Sequence, residues 1–147
     1  IGFIAESVRI PTSTGSLIIL VVNIQDESLE HPIKRETINQ VYRKASETYM
    51  SKYLLYSNRQ NVSSDIIGIP NAAAVIEGQE THTRTAHLCV DLSKIPGLRP
   101  EAFRQEGPCL AEIPVTQAVI YGWYDNELGS YTNMMGDLTV KIAEGLQ

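Results

Sequence analysis

Six aliphatic residues in an unbroken run, Leu17 to Val22, constrain this chain more than any other feature. The run is far shorter than the ~20 apolar residues needed to cross a bilayer. With no polar alternation, it reads as a strand over Ser16 to Ile24 whose two faces are both covered. A second apolar stretch, Val115 to Tyr124, predicts another strand of the same kind. A sheet with such strands must be flanked by other layers, and the remaining sequence indicates what they are.

Lys34 to Met50 has helical periodicity: Ile38, Val41, Tyr42, Ala45 and Tyr49 share one face, opposite Lys, Arg and Glu. A terminal helix is predicted from about Gly129 or Tyr131 to Ala143, with Tyr131, Met134, Met135, Leu138 and Ile142 on its apolar face. Short strands are expected at Phe3–Ile10, Tyr53–Tyr56 and Ala73–Ile76, with a turn at Ser13-Thr14-Gly15 and a loop at Asn58–Asn61. The segment from Glu77 to Pro114 contains Pro96, Gly97, Pro100, Gly107 and Pro108. It reads as loop-rich, with one short strand near Leu88–Leu92. Strands joined mainly by loops, with few and late helices, predict an α+β fold: a mixed, largely antiparallel sheet covered by a few helices, the last of them long.

Composition narrows the function. The 147 residues suit one compact domain, and a formal charge of −5 argues against a nucleic-acid partner, which would demand a basic patch. The densest basic stretch, Lys34, Arg35, Arg43 and Lys44, is interleaved with Glu36 and Glu47 and reads as a solvated helix face. Nothing predicts a membrane span. Two cysteines do not form a disulfide framework, so a reducing cytoplasm is expected. The opening Ile1-Gly2-Phe3, without an initiator Met, suggests an excerpt from a longer polypeptide.

Chemistry concentrates at Ile120 to Glu127. An apolar strand ends in Trp123 and Tyr124 and is followed at once by Asp125, Asn126 and Glu127. Strand ends are where sheets present polar groups to ligands, and an amide both donates and accepts, so Asn126 suits a planar carboxamide. The same residues equally suit a turn in which Asp125 and Asn126 cap the last helix. His82, His87, Cys89 and Cys109 invite a zinc reading. Their irregular spacing, without a Cys-x-x-Cys pair, points instead to a polar loop leading into a strand, and no metal is expected. A Cys89–Cys109 disulfide is an alternative that a reducing compartment disfavours.

Three segments in order carry a resemblance: Ser7-Val8-Arg9-Ile10-Pro11-Thr12, Val62-Ser63-Ser64-Asp65-Ile66-Ile67-Gly68, and Trp123-Tyr124-Asp125-Asn126-Glu127 running on to Asn133. Together they resemble the C-terminal, catalytic-domain portion of the glyceraldehyde-3-phosphate dehydrogenases. The likeness covers Phe3 to about Val75 and again Gln117 to the C-terminus. It implies that residues 1–147 are the C-terminal part of that catalytic domain, and that 77–114 is a connection longer than the family's. It also implies an anion site at Arg9, whose guanidinium grips phosphate through two parallel hydrogen bonds. Without the resemblance, Arg9 would read as half of a surface ion pair. Asn126 matches the residue that orients the nicotinamide carboxamide, and Tyr124 and Glu127 flank it. Ser130, between Gly129 and Tyr131, departs from the family's commoner Gly-Tyr step.

The same resemblance implies oxidation of an aldehyde through a cysteine thioester, with NAD or NADP as cofactor. Glyceraldehyde 3-phosphate and inorganic phosphate would be substrates, in a cytoplasmic homotetramer. Neither Cys89 nor Cys109 stands in the family's nucleophile segment, and no Gly-x-Gly-x-x-Gly turn is present. The chain therefore holds no catalytic nucleophile or base, and alone it is expected to be inactive. The alternatives are an erythrose-4-phosphate dehydrogenase, which shares fold and thiol chemistry, and a non-catalytic assembly module.

Overall fold

The computed structural model describes residues 11, 14–26, 30–97, 109–125 and 127–146. The predicted strand at Phe3–Ile10 lies outside them. A five-stranded sheet is built from β1 (Ser16–Gln25), β2 (Leu54–Ser57), β3 (Ala74–Glu77), β4 (His82–Asp91) and β5 (Leu110–Tyr124). Three helices accompany it: α1 (Arg35–Glu47), the single-turn α2 (Ser63–Ile66) and α3 (Ser130–Gly145). This is the mixed, largely antiparallel α+β sheet expected from the sequence, ending in a long helix.

The longest strand, β5, is the axis of the sheet. On one edge it pairs antiparallel with β1, from Ser16↔Tyr124 to Gln25↔Val115. Its other edge is shared by β4, which runs opposite Leu110–Val119, and β3, opposite Gly122 and Trp123. Ile76 pairs with Gly122 and His82 with Val119, so five residues on one side span two on the other. The surplus bulges out as a turn and swings β3 away to pair in parallel with β2. Because β2 and β3 are parallel, a crossover must join them, and α2 lies within it.

Strand alternation divides the core in two. On one face, Ile38 of α1 packs on Ile76, Ala118 and Ile120, with Val22, Ile24 and Tyr42 around them. On the other, Ile66 of α2 packs on Ala72 and Val75, with Leu55, Ile69 and Trp123. Glu36 in the first turn of α1 and Lys44 in its last complement the helix dipole.

Several expectations are revised. Segment 82–91, read as mostly loop, is a ten-residue strand. Its Thr, His and Arg residues alternate across a sheet surface that is largely open to solvent, so no apolar pattern marks it. On α1, Ile38 and Ala45 are buried but Val41 is exposed; the helix ends at Glu47, short of the expected Met50, and Tyr49 in the turn beyond it is exposed as well. The run Leu17–Val21 is exposed on the isolated chain rather than covered on both faces, with Ile19 at 55%. Likewise, Ser130 is the only buried residue of α3, and Met135, Leu138 and Ile142 face solvent. No helix among the described residues is long and apolar enough to cross a membrane.

Candidate functional site

The candidate site begins where β5 ends. Asp125 is 1% exposed, and its carboxylate collects three backbone N–H groups. Oδ1 accepts from Glu127 N at 2.9 Å and from Leu128 N at 3.3 Å; Oδ2 accepts from Gly68 N at 3.2 Å. Those N–H donors hold its pKa below the ordinary value, the Glu127 bond most of all, against an opposing push from burial. Ser130 Oγ donates to the Asp125 carbonyl at 3.2 Å. A Cβ on Gly129 would stand 3.0 Å from the Ile69 carbonyl and 3.1 Å from Asp125 Oδ2, a tight approach at which those neighbours would have to give by a few tenths of an ångström. The turn after β5 is thus fixed from within and fastened to the segment after α2.

Tyr124, half-buried, meets the Tyr131 ring edge-on, with centroids 5.8 Å apart. Glu127 is exposed beside the turn. Arg9 and Asn126, the two residues expected to bind phosphate and carboxamide, lie outside the described residues. Trp123 packs in the second core, with its Nε1 buried and without a hydrogen-bond partner among the described residues, so this motif residue is a structural anchor. The turn half of the turn-and-cap reading holds for Asp125, whereas the N-cap of α3 is Gly129.

The segment Val62–Gly68 is ordered by its own polar groups. Asp65 Oδ2 accepts from Val62 N at 3.0 Å, opening α2, and Gly68 closes the segment at φ 78°. Just before it, Asn61 is buried and donates through Nδ2 to Glu77 Oε1 at 2.9 Å. The Asn61-Val62-Ser63 sequon is therefore closed to glycosylation in the folded domain. A second buried polar chain, Asp26–Thr116–Thr85, joins the residue just past β1 to β5 and β4. Thr116 Oγ1 donates to Asp26 Oδ2 at 2.6 Å and lies 2.7 Å from Thr85 Oγ1, while Ile33 N donates to Asp26 Oδ1. Isolated hydroxyl and carboxylate residues far apart in sequence gave no signal of either pairing.

His82 and His87 fall on opposite faces of β4, and no group of three metal-ligating side chains assembles among the described residues. Cys89 and Cys109 are free thiols. Cys89 pairs with Glu112, whereas Cys109 lies beyond the Asp91↔Leu110 pair. That offset of three residues is about 10 Å along a strand, past the ~7 Å a disulfide can bridge. One cleft of about 470 Å³ has an apolar floor of Leu55, Ile66, Ile69 and Val75 and includes neither Tyr124 nor Glu127.

Fold and site together define an α+β domain organised around a pinned turn at the end of its central strand. The chain belongs to the family "Glyceraldehyde 3-phosphate dehydrogenase, C-terminal domain", whose profile matches residues 3–93. It is similar to "Glyceraldehyde-3-phosphate dehydrogenase 2" of Streptomyces avermitilis, 30% identical over 140 residues, 95% of this chain and 31% of the relative. It is also similar to the glyceraldehyde-3-phosphate dehydrogenases of Borreliella burgdorferi, at 31% identity over 94% of the chain, and Streptomyces coelicolor, at 30% over 95%. The chain spans about a third of the length of each, 31% in all three cases.

Proposed function

We propose that residues 1–147 form the C-terminal part of the catalytic domain of a phosphorylating glyceraldehyde-3-phosphate dehydrogenase, with 77–114 as its extended connection. The observation that carries this reading is the Asp125 turn, which joins two of the family-like segments by hydrogen bonds across the molecule. The matched relatives, all named for glyceraldehyde 3-phosphate, favour this substrate over erythrose 4-phosphate.

In this reading Arg9 holds a phosphate, either the substrate's or the inorganic one, and so lowers the entropic cost of reaching reactive geometry. Asn126 pairs with the nicotinamide carboxamide through its donor and acceptor. The half-buried Tyr124 ring, braced edge-on by Tyr131, suits a planar aromatic ligand and walls it from water, and Glu127 lines the rim. The nicotinamide, of NAD or NADP, supplies the hydride acceptor when bound. The nucleophilic cysteine and its histidine come from sequence outside this chain, so the chain alone turns over no aldehyde. The full enzyme works as a cytoplasmic homotetramer in glycolysis.

Arg9→Ala in the full-length enzyme tests the reading. The expected result is a KM for inorganic phosphate or for the aldehyde phosphate raised about 10- to 100-fold, as losing a charge-assisted hydrogen-bond pair implies. An unchanged KM with altered oligomer size would instead make the domain an assembly module.

A further inference from the structure

At the ends of β2 and β3 farthest from the Asp125 turn, a further cleft of about 330 Å³ opens beside α1. Its volume falls within the range of small-molecule sites, about 300–1,000 Å³. Helical spacing sets Arg35, Asn39 and Arg43 along one wall, four residues apart. Tyr56 and Asn58, at the end of β2, and Gly78, just past β3, form the other. Two hydrogen bonds tie the walls together: Asn39 Nδ2 donates to the Gly78 carbonyl at 2.8 Å, and Arg43 Nη2 donates to Asn58 Oδ1 at 3.1 Å. A Cβ on Gly78 would overlap the Tyr56 ring and hydroxyl, so that ring stands against bare backbone. It serves as a platform for Arg43, whose guanidinium carbon lies 5.1 Å from the ring centroid.

These ties leave donors and an acceptor unused. Arg43 is held by a neutral amide and an aromatic face, and among the described residues no carboxylate lies within ion-pair distance of it. Its Nε and Nη1 remain available as a fork. Arg35 meets its sequence neighbour Glu36, Nε to Oε1 at 3.4 Å, with both side chains at least half exposed. Such a pair is weak, and a better-placed anion displaces it. In the wall between the two arginines, Asn39 Oδ1 is buried and has no hydrogen-bond partner among the described residues. A buried acceptor in that state calls for a donor from outside.

We propose that this cleft binds a small hydroxylated phosphate ester, with its phosphoryl group on Arg43 and Arg35 and a hydroxyl donating to Asn39 Oδ1. A phosphoryl group has acceptors enough for both guanidinium groups. Asn39 stands one helical turn from Arg43, about 5.4 Å. A single tetrahedral ion on the fork therefore leaves Asn39 unmet, whereas a sugar phosphate, with a hydroxyl a few bonds from phosphorus, spans both.

Equilibrium dialysis of glucose 1-phosphate against the full-length enzyme tests this. The sugar phosphate has no free aldehyde to react with a thiol. The Arg9→Ala background removes the phosphate contact proposed above, and each comparison then varies one residue of α1. The expected result is one molecule bound per chain. Arg43→Gln weakens binding about 10-fold or more, as loss of charge-assisted bonds implies, and Asn39→Leu weakens it about 2- to 10-fold. Lys44→Gln, which removes the same charge from an exposed position outside the cleft, leaves the affinity unchanged. Site number is fitted together with Kd, so a misfolded fraction lowers the number of sites and not the affinity. The proposal is overturned if no stoichiometric binding is found, or if Arg43→Gln binds as the parent does. It is equally overturned if Lys44→Gln weakens binding as much as Arg43→Gln, or if glucose or inorganic phosphate alone binds as tightly as the ester.

Discussion

Asp125 titrates in a setting that reports directly on folding. Its pKa is lowered from the ordinary 3.8, chiefly by the Glu127 N–H, then by those of Gly68 and Leu128. In the unfolded chain those donors are gone. The stability this carboxylate contributes is therefore fully present above pH 3.8 and is lost as pH falls through the lower, folded pKa. Urea unfolding measured from pH 6 to pH 2 is expected to show a steeper acid loss for the native sequence than for Asp125→Asn, whose side chain does not titrate. Parallel curves would remove Asp125 from the acid response. Single residues of this kind were half legible. The Trp-Tyr-Asp-Asn-Glu run marked Asp125 as a turn former, but its partner Gly68 lies far away in sequence and only the folded sheet brings them together. The same holds for Asn61 with Glu77 and for Asp26 with Thr116.

Elements were read best where burial imposes a period. The core positions of α1, the short strands β2 and β3 and most of β5 follow from apolar spacing, because those segments face a core. The strand β4 escaped because it lies on an open sheet surface, where Thr, His and Arg serve as well as Val or Ile. Two glycines of the last helical unit give a paired test. Gly129, at the root of α3, would give a methyl group tight contacts of 3.0 to 3.2 Å, two of them with backbone atoms, whereas a Cβ on Gly136 in mid-helix meets nothing within 4 Å. Gly129→Ala is expected to destabilise by about 1–3 kcal/mol through overpacking against backbone. Gly136→Ala is expected to stabilise by about 0.5–1 kcal/mol through the unfolded chain's lost freedom. Thermal melts of the two variants should therefore move in opposite directions; a shared direction would refute the assignment of crowding to the helix root.

On the scale of the whole molecule, the fold class was legible and the layering was not. An apolar run states that a segment will be covered, not by what, and Leu17–Val21 and the α3 stripe find no cover within these residues. Among exposed side chains, Ile18, Ile19 and Val21 on β1 and Met135, Leu138 and Ile142 on α3 are each more than half open to solvent. Exposed apolar area on that scale drives association. The isolated chain is expected to self-associate and to bind a hydrophobic dye, and Ile19→Lys together with Leu138→Glu is expected to return it towards monomer. Light scattering coupled to size exclusion measures this directly, and a monodisperse monomer of the unmodified chain would contradict it. The attachment of α3 has a mechanical consequence as well. Among the described residues the helix is rooted through its first turn alone, by Ser130 on Asp125, Tyr131 on Tyr124 and Asn133 on Pro70. A rod of sixteen residues held at one end is a lever, and its fulcrum is the Asp125 turn. Any body that grips the far end of the rod applies torque to the same few bonds that hold that turn still.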